Sequence, residues 1–149
     1  MKVIHSEDVT LEFLTSDMTS IIEVPYFDGG VAAGFPSPAS DFESLTISFD
    51  KEVFGSSPST IFCARVSGHS MEGVGIFDGS VIAVDRLLEP SDNKIAVCVI
   101  NGEFTLKRLK VEKDCIWLMP ENESFQPLKI TDSDEFEIWG IVTHCLNKF

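Results

Sequence analysis

A serine in a glycine-rich turn and a lysine on a later strand are the residues of this chain best suited to covalent chemistry. The turn reads Gly68-His69-Ser70-Met71-Glu72-Gly73, and the lysine stands within Gly102-Glu103-Phe104-Thr105-Leu106-Lys107-Arg108-Leu109. A serine hydroxyl is a weak nucleophile until a base removes its proton, and a lysine amine serves once burial disfavours its ammonium form. Ser70 and Lys107 would together transfer acyl groups with no cofactor and no metal. The backbone N–H groups of His69 and Ser70 are placed to stabilise an oxyanion. A second assembly uses the same nucleophile: Ser70 with His144 and an acid such as Asp85 or Asp78. A turn serine and a surface lysine with no joint role is the plain structural alternative.

Strand periodicity bears on the choice. Side chains alternate across a strand, so Thr105, Lys107, Leu109 and Val111 share one face while Phe104, Leu106, Arg108 and Lys110 share the other. Lys107 therefore has apolar neighbours, and Arg108 points away and keeps its charge. Around this strand the pattern is β throughout. Leu45–Phe49 alternates; Ile61–Val66, Ser80–Val84 and Ile95–Ile100 are short apolar runs; Cys115–Met119 and Glu135–Thr143 follow. Asn101-Gly102 marks a tight hairpin whose two central residues need positive φ. In the last strand, alternation puts Phe136 and Ile138 on one face and Trp139 and Ile141 on the other. Asp50–Phe54 reads as a single helical turn. The expected fold is mostly β: a small, folded, partly closed sheet with an extended N-terminal arm.

The division expected is residues 1–42 as arm and 43–149 as body. The arm holds short strand candidates at Val3-Ile4, Val9–Leu14 and Ile21–Val24. From Asp28 to Pro38, three glycines and two prolines in eleven residues oppose regular structure. That stretch is either a linker or a segment able to enter a cleft in extended form.

The formal net charge of -13 opposes strong direct binding to nucleic acid or an anionic membrane. The cations at Lys107, Arg108, Lys110 and Lys113 form either a phosphate contact or a solvated strand face. Cys63, Cys98, Cys115 and Cys145 lack close spacing and read as small buried thiols; a zinc site would need His69 or His144 to join them. No run is long enough to span a membrane and the first residues lack a signal-peptide pattern, so a cytoplasmic protein is expected.

Several segments, in order, resemble the LexA/UmuD family of self-cleaving serine proteins, the S24 peptidases. Val66–Met71 looks like its nucleophile motif, Gly75–Asp85 like the continuation, and Gly102–Leu109 like its general-base strand. Ala33-Gly34 looks like the scissile bond, followed by Gly34–Asp41; Met119–Asn122 and Ile138–Val142 fit the late strands. His69 stands where the family usually has aspartate. The resemblance implies a β body, a mobile arm and a homodimer. It implies cleavage between Ala33 and Gly34, stimulated by a RecA filament on single-stranded DNA after damage. It further implies a shortened product that joins a UmuC-type, Y-family polymerase subunit in error-prone synthesis. With 33 residues before Gly34, the UmuD-like pattern is expected over the repressor pattern, which adds a helix-turn-helix domain. A regulator with a different protein partner is the other reading.

Overall fold

In the computed structural model, residues 9–14, 23–25, 46–48, 51–52, 55 and 58–149 are described. They fall in two units, Asp17–Pro58 and a larger one of Met1–Ser16 with Ser59–Phe149. In the smaller unit, β2 (Glu23–Pro25) pairs antiparallel with β3 (Thr46–Ser48). A bond of 2.9 Å from the Gly55 N–H to the Lys51 carbonyl closes the expected helical turn.

The larger unit is one eight-stranded sheet. Its members are β1 (Val9–Leu14), β4 (Ile61–Gly68), β5 (Val81–Asp85), β6 (Ile95–Ile100), β7 (Glu103–Val111), β8 (Ile116–Met119), β9 (Leu128–Lys129) and β10 (Phe136–Leu146). The spatial order is β1-β4-β5-β10-β6-β7-β8-β9, with every pairing antiparallel. β1 lies in the segment read as an arm, and it is bonded to β4 with Val9 opposite Gly68. Four strands separate β1 from β7 in this order, yet the rings of Phe13 and Phe104 stand 5.1 Å apart. The sheet curls until its first strand meets its sixth. This is the partly closed sheet expected from the sequence.

Curling gives the sheet two apolar faces with separate cores. The inner face gathers Val66, Met71, Ile82, Val84, Val97 and Leu106. The other gathers Ala96, Cys98, Leu109, Leu118 and Ile141. The β6–β7 hairpin serves both by simple alternation, and Asn101 (φ 49°) with Gly102 (φ 83°) makes the tight turn that fixes its register.

β10 departs from the expected alternation. Its pairing with β6 slips between Ile138 and Gly140, as at a β-bulge. One extra residue reverses which side chains face which way. Trp139 packs with the inner core, opposite Phe136 and Ile138 as expected, but Ile141 beyond the slip joins Phe136 and Ile138 on the other face. Gly140 sits at the slip, where an added Cβ would lie 2.6 Å from the Val84 side chain.

Candidate active site

The turn that carries Ser70 begins where β4 ends. Gly68 takes φ 114°, a value costly for residues with a Cβ, and its N–H donates to Asp78 Oδ1 at 3.0 Å. The chain then leaves the sheet but stays anchored, because Met71 and Ile76 are buried in the inner core. Burial of a side chain of that size contributes roughly 1.5–3 kcal/mol, enough to hold a short loop in one place. A 3-10 turn at Glu72–Val74 follows, closed by Gly75 in the left-handed region.

The turn is also stitched to the segment after β8. The Glu121 N–H donates to the Ser70 carbonyl at 2.7 Å, and the Gly73 N–H donates to the Glu121 carbonyl at 2.7 Å. The Asn122 side-chain amide donates to the His69 carbonyl at 2.8 Å. Gly73 has no room for anything larger: a Cβ there would stand 2.5 Å from the Glu121 carbonyl oxygen. Ser70 itself has no exposed surface.

Lys107 comes from the middle of β7 and is 4% exposed. Its Nζ lies 3.3 Å from Ser70 Oγ, 3.1 Å from Thr105 Oγ1 and 3.1 Å from the Leu106 carbonyl oxygen. An ammonium donates to all three. A neutral amine has two N–H groups and a lone pair; the carbonyl can only accept, so it keeps an N–H. With the second N–H on Thr105, the lone pair is left for the Ser70 hydroxyl. Burial among apolar groups opposes the charged form. Cys98, opposite Thr105 in the pairing, shares this surroundings: burial pushes its thiol up to about 12, against the pull of the Lys107 charge.

The alternative partners of Ser70 lie elsewhere. His144 bonds Thr143 Oγ1 at 3.0 Å on an exposed part of β10. Asp85 accepts from the Thr60 hydroxyl and the Leu87 N–H, and Asp78 accepts from Gly68. None of the three is bonded to Ser70, so the triad is not assembled. His69 Nδ1 is 2.6 Å from Glu72 Oε1, facing solvent. The backbone N–H groups of His69 and Ser70 donate to no acceptor among the described residues. Ala33 and Gly34 lie outside the described residues.

The cation run divides as the strand period requires. Lys107 is buried on the face it shares with Thr105 and Leu109, Arg108 pairs with Glu121, and Lys110 pairs with Glu112 at 3.1 Å. The Glu112 carboxyl is held below its usual range, first by its hydrogen bond with Lys110. The expectation of four buried thiols needs correction. Cys98 is buried, Cys63 and Cys115 are half-buried, and Cys145 is exposed because β10 runs on beyond its core. No helix of the described residues is long and apolar enough to cross a membrane.

Sequence reasoning singled out Ser70 and Lys107, put Thr105 on the lysine's face without giving it a role, and gave Asn122 none. Thr105 was legible: two residues before the lysine on the same strand, it shares its face. Asn122 carried no comparable signal, since nothing local tells which loop it meets.

Comparison with known proteins follows the same outline. The family model "Peptidase S24-like" matches residues 25–143. Protein MucA of Salmonella typhimurium is 40% identical over 136 residues, covering 90% of this chain and 91% of MucA. The LexA repressor of Xylella fastidiosa (strain 9a5c) is 35% identical over 137 residues, 92% of this chain but 64% of the repressor. The LexA repressor of Acidithiobacillus ferrooxidans (strain ATCC 53993 / BNL-5-31) is 38% identical over 121 residues, 79% of this chain and 58% of the repressor. With a curled β sheet beneath a buried serine and lysine, and a relative matched along nearly its whole length, this chain belongs to the S24 peptidase family as a UmuD-like member of its LexA/UmuD group.

Proposed function

We propose that this chain is a self-cleaving serine endopeptidase of the SOS response that cuts its own Ala33–Gly34 bond. The observation that carries this reading is the 3.3 Å approach of Lys107 Nζ to Ser70 Oγ, with both groups out of solvent. In the first step Ser70 Oγ attacks the Ala33 carbonyl carbon while its proton passes to neutral Lys107. The carbonyl oxygen gains the negative charge and is met by the N–H groups of His69 and Ser70. Collapse breaks the C–N bond, and the Lys107 ammonium returns its proton to the departing Gly34 amine. Water, deprotonated by the same lysine, then attacks the acyl group. Ser70 is regenerated and Ala33 leaves as a carboxylate.

The trigger is a RecA filament on single-stranded DNA, and the shortened form acts as accessory subunit of a UmuC-type polymerase in translesion synthesis. The near full-length likeness to Protein MucA supports this output. The likeness to LexA repressors favours a second reading, a regulator with another protein partner. The protein works in the cytoplasm, and its charge of -13 leaves DNA contact to its partners.

It acts as a homodimer. Phe13, Phe62 and Phe104, at 37%, 39% and 40% exposed, surround Trp139 with ring centroids 4.8–5.9 Å apart. Clustered exposed aromatics are typical of the centre of a protein interface. A second copy covering this patch answers the need, and Phe104→Glu should yield monomers by sedimentation.

The deciding experiment is intact mass after incubation with RecA, single-stranded DNA and a nucleoside triphosphate, or at alkaline pH alone. Loss of residues 1–33 is expected. An unchanged mass in both would sink self-cleavage. Co-purification of the cleaved form with its cognate polymerase subunit, with gain of bypass synthesis, separates the accessory role from the regulator.

A further inference from the structure

We infer that Asn122 is a positioning residue that aims the Ser70 N–H at the site of the oxyanion; the inference rests on the self-cleavage reading above. The starting point is the peptide joining His69 to Ser70. A trans peptide is planar, so its C=O and N–H point in opposite directions. Whatever holds the His69 carbonyl therefore dictates where the Ser70 N–H goes.

The Asn122 Nδ2 group holds that carbonyl at 2.8 Å. The other contact on it, from the Glu72 N–H, is long at 3.4 Å and comes from within the turn itself. The Asn122 side chain is not free to turn over. Its Oδ1 accepts the Ser124 N–H at 2.9 Å, which leaves Nδ2 facing His69. The donor is thus fixed at one end by its own loop and presented at the other to the nucleophile turn. The neighbouring bonds between Glu121 and both Ser70 and Gly73, each 2.7 Å, keep the two segments in register.

The consequence is an N–H directed away from the 120–122 segment. That Ser70 N–H has no acceptor among the described residues, in a residue without exposed surface. A buried N–H is normally paired. One held unpaired beside a nucleophile matches the requirement for an oxyanion donor, aimed before the charge develops. Asn122 makes no bond to Ser70 Oγ. It acts through the peptide it holds.

The test compares the full chain with Asn122→Leu, a neutral replacement of similar size that adds no charge near Lys107, and with Asn122→Ala. Asn122 is only half-buried, so both should fold, as a thermal melt will verify. Self-cleavage is followed by intact mass across alkaline pH. The plateau rate should fall about 10- to 100-fold, below the loss recorded when an oxyanion donor is deleted outright. The midpoint of the pH profile, set by Lys107, should stay within about 0.3 units. A merely structural role would instead lower the melting temperature or move the midpoint. Crystal structures of the parent and Asn122→Leu supply the second readout, which needs no cleavage: the His69–Ser70 peptide should be rotated in the variant. An unrotated peptide, or a plateau rate within twofold of the parent, overturns the inference. A parent chain that never cleaves sinks the self-cleavage reading instead, and the peptide orientation alone then decides this one.

Discussion

Thr105 Oγ1 stands closer to the Lys107 amine, at 3.1 Å, than Ser70 Oγ does at 3.3 Å. Thr105 is 6% exposed, so this hydroxyl does not compete with water for the amine. It stabilises the ammonium and, after deprotonation, occupies one of the two remaining N–H groups. Thr105→Val keeps the shape and removes the acceptor. A hydrogen bond to a charged group is stronger than one to a neutral amine, so its loss should ease deprotonation. The variant's pH–rate profile should therefore shift to lower pH, with a reduced plateau because the amine is less firmly held. A shift to higher pH would contradict this account.

Ser70→Ala and Lys107→Met should each abolish self-cleavage, while His144→Ala should leave it within about twofold. Lys107→Met replaces a buried amine by an apolar group of like length, so stability should hold or rise. Cleavage by intact mass and unfolding by urea give both halves of the result. An active Lys107→Met protein with an inactive His144→Ala protein would reverse the assignment.

Gly73→Ala should stop cleavage with the lysine and serine both intact. The new Cβ meets a backbone carbonyl rather than a flexible side chain, so the turn has to move off Glu121. Overpacking of this kind costs about 1–3 kcal/mol. Gly75→Ala is the control: it meets nothing within 4 Å but carries φ 82°, so it loses stability through strain without displacing Glu121. Cleavage rates of the two variants, normalised to folded fraction, should differ at least tenfold.

Cys98 links stability to alkaline pH. Its thiol is pushed up to about 12 in the fold from an ordinary value of 9.0. The folded protein thus retains a proton that the unfolded chain gives up. The stabilisation is complete below pH 9.0 and is lost as pH climbs towards 12. The slope approaches about 1.4 kcal/mol per pH unit within that window. Urea unfolding at several pH values, in a Ser70→Ala background, should show a shallower alkaline decline for Cys98→Ala. Equal slopes for the two proteins would contradict this.

The legible parts of this fold are those written in local pattern. Asn101-Gly102 announced its hairpin because few residues accept two positive φ values in succession. The strand period put Lys107 on the face opposite Arg108 before any contact was known. Long-range choices were not legible. Val9–Leu14 read as a short strand, and its partner β4 lies some fifty residues away with nothing local to name it. The bulge at Ile138–Gly140 reversed the expected side of Ile141, because a one-residue slip leaves no mark in an alternating sequence. The two-residue β9 and the stitching of Glu121 and Asn122 to the nucleophile turn depend on how the sheet curls. The 3.3 Å spacing of Ser70 and Lys107 depends on it as well.

Ser70 has no surface open to solvent, and this sets what the chain can harm. An enzyme that digests others must display its nucleophile and then needs an inhibitor or a restricted address to keep its neighbours safe. Here the hydroxyl has no surface to offer a protein diffusing past. On the self-cleavage reading, that burial confines the reaction to the chain's own peptide.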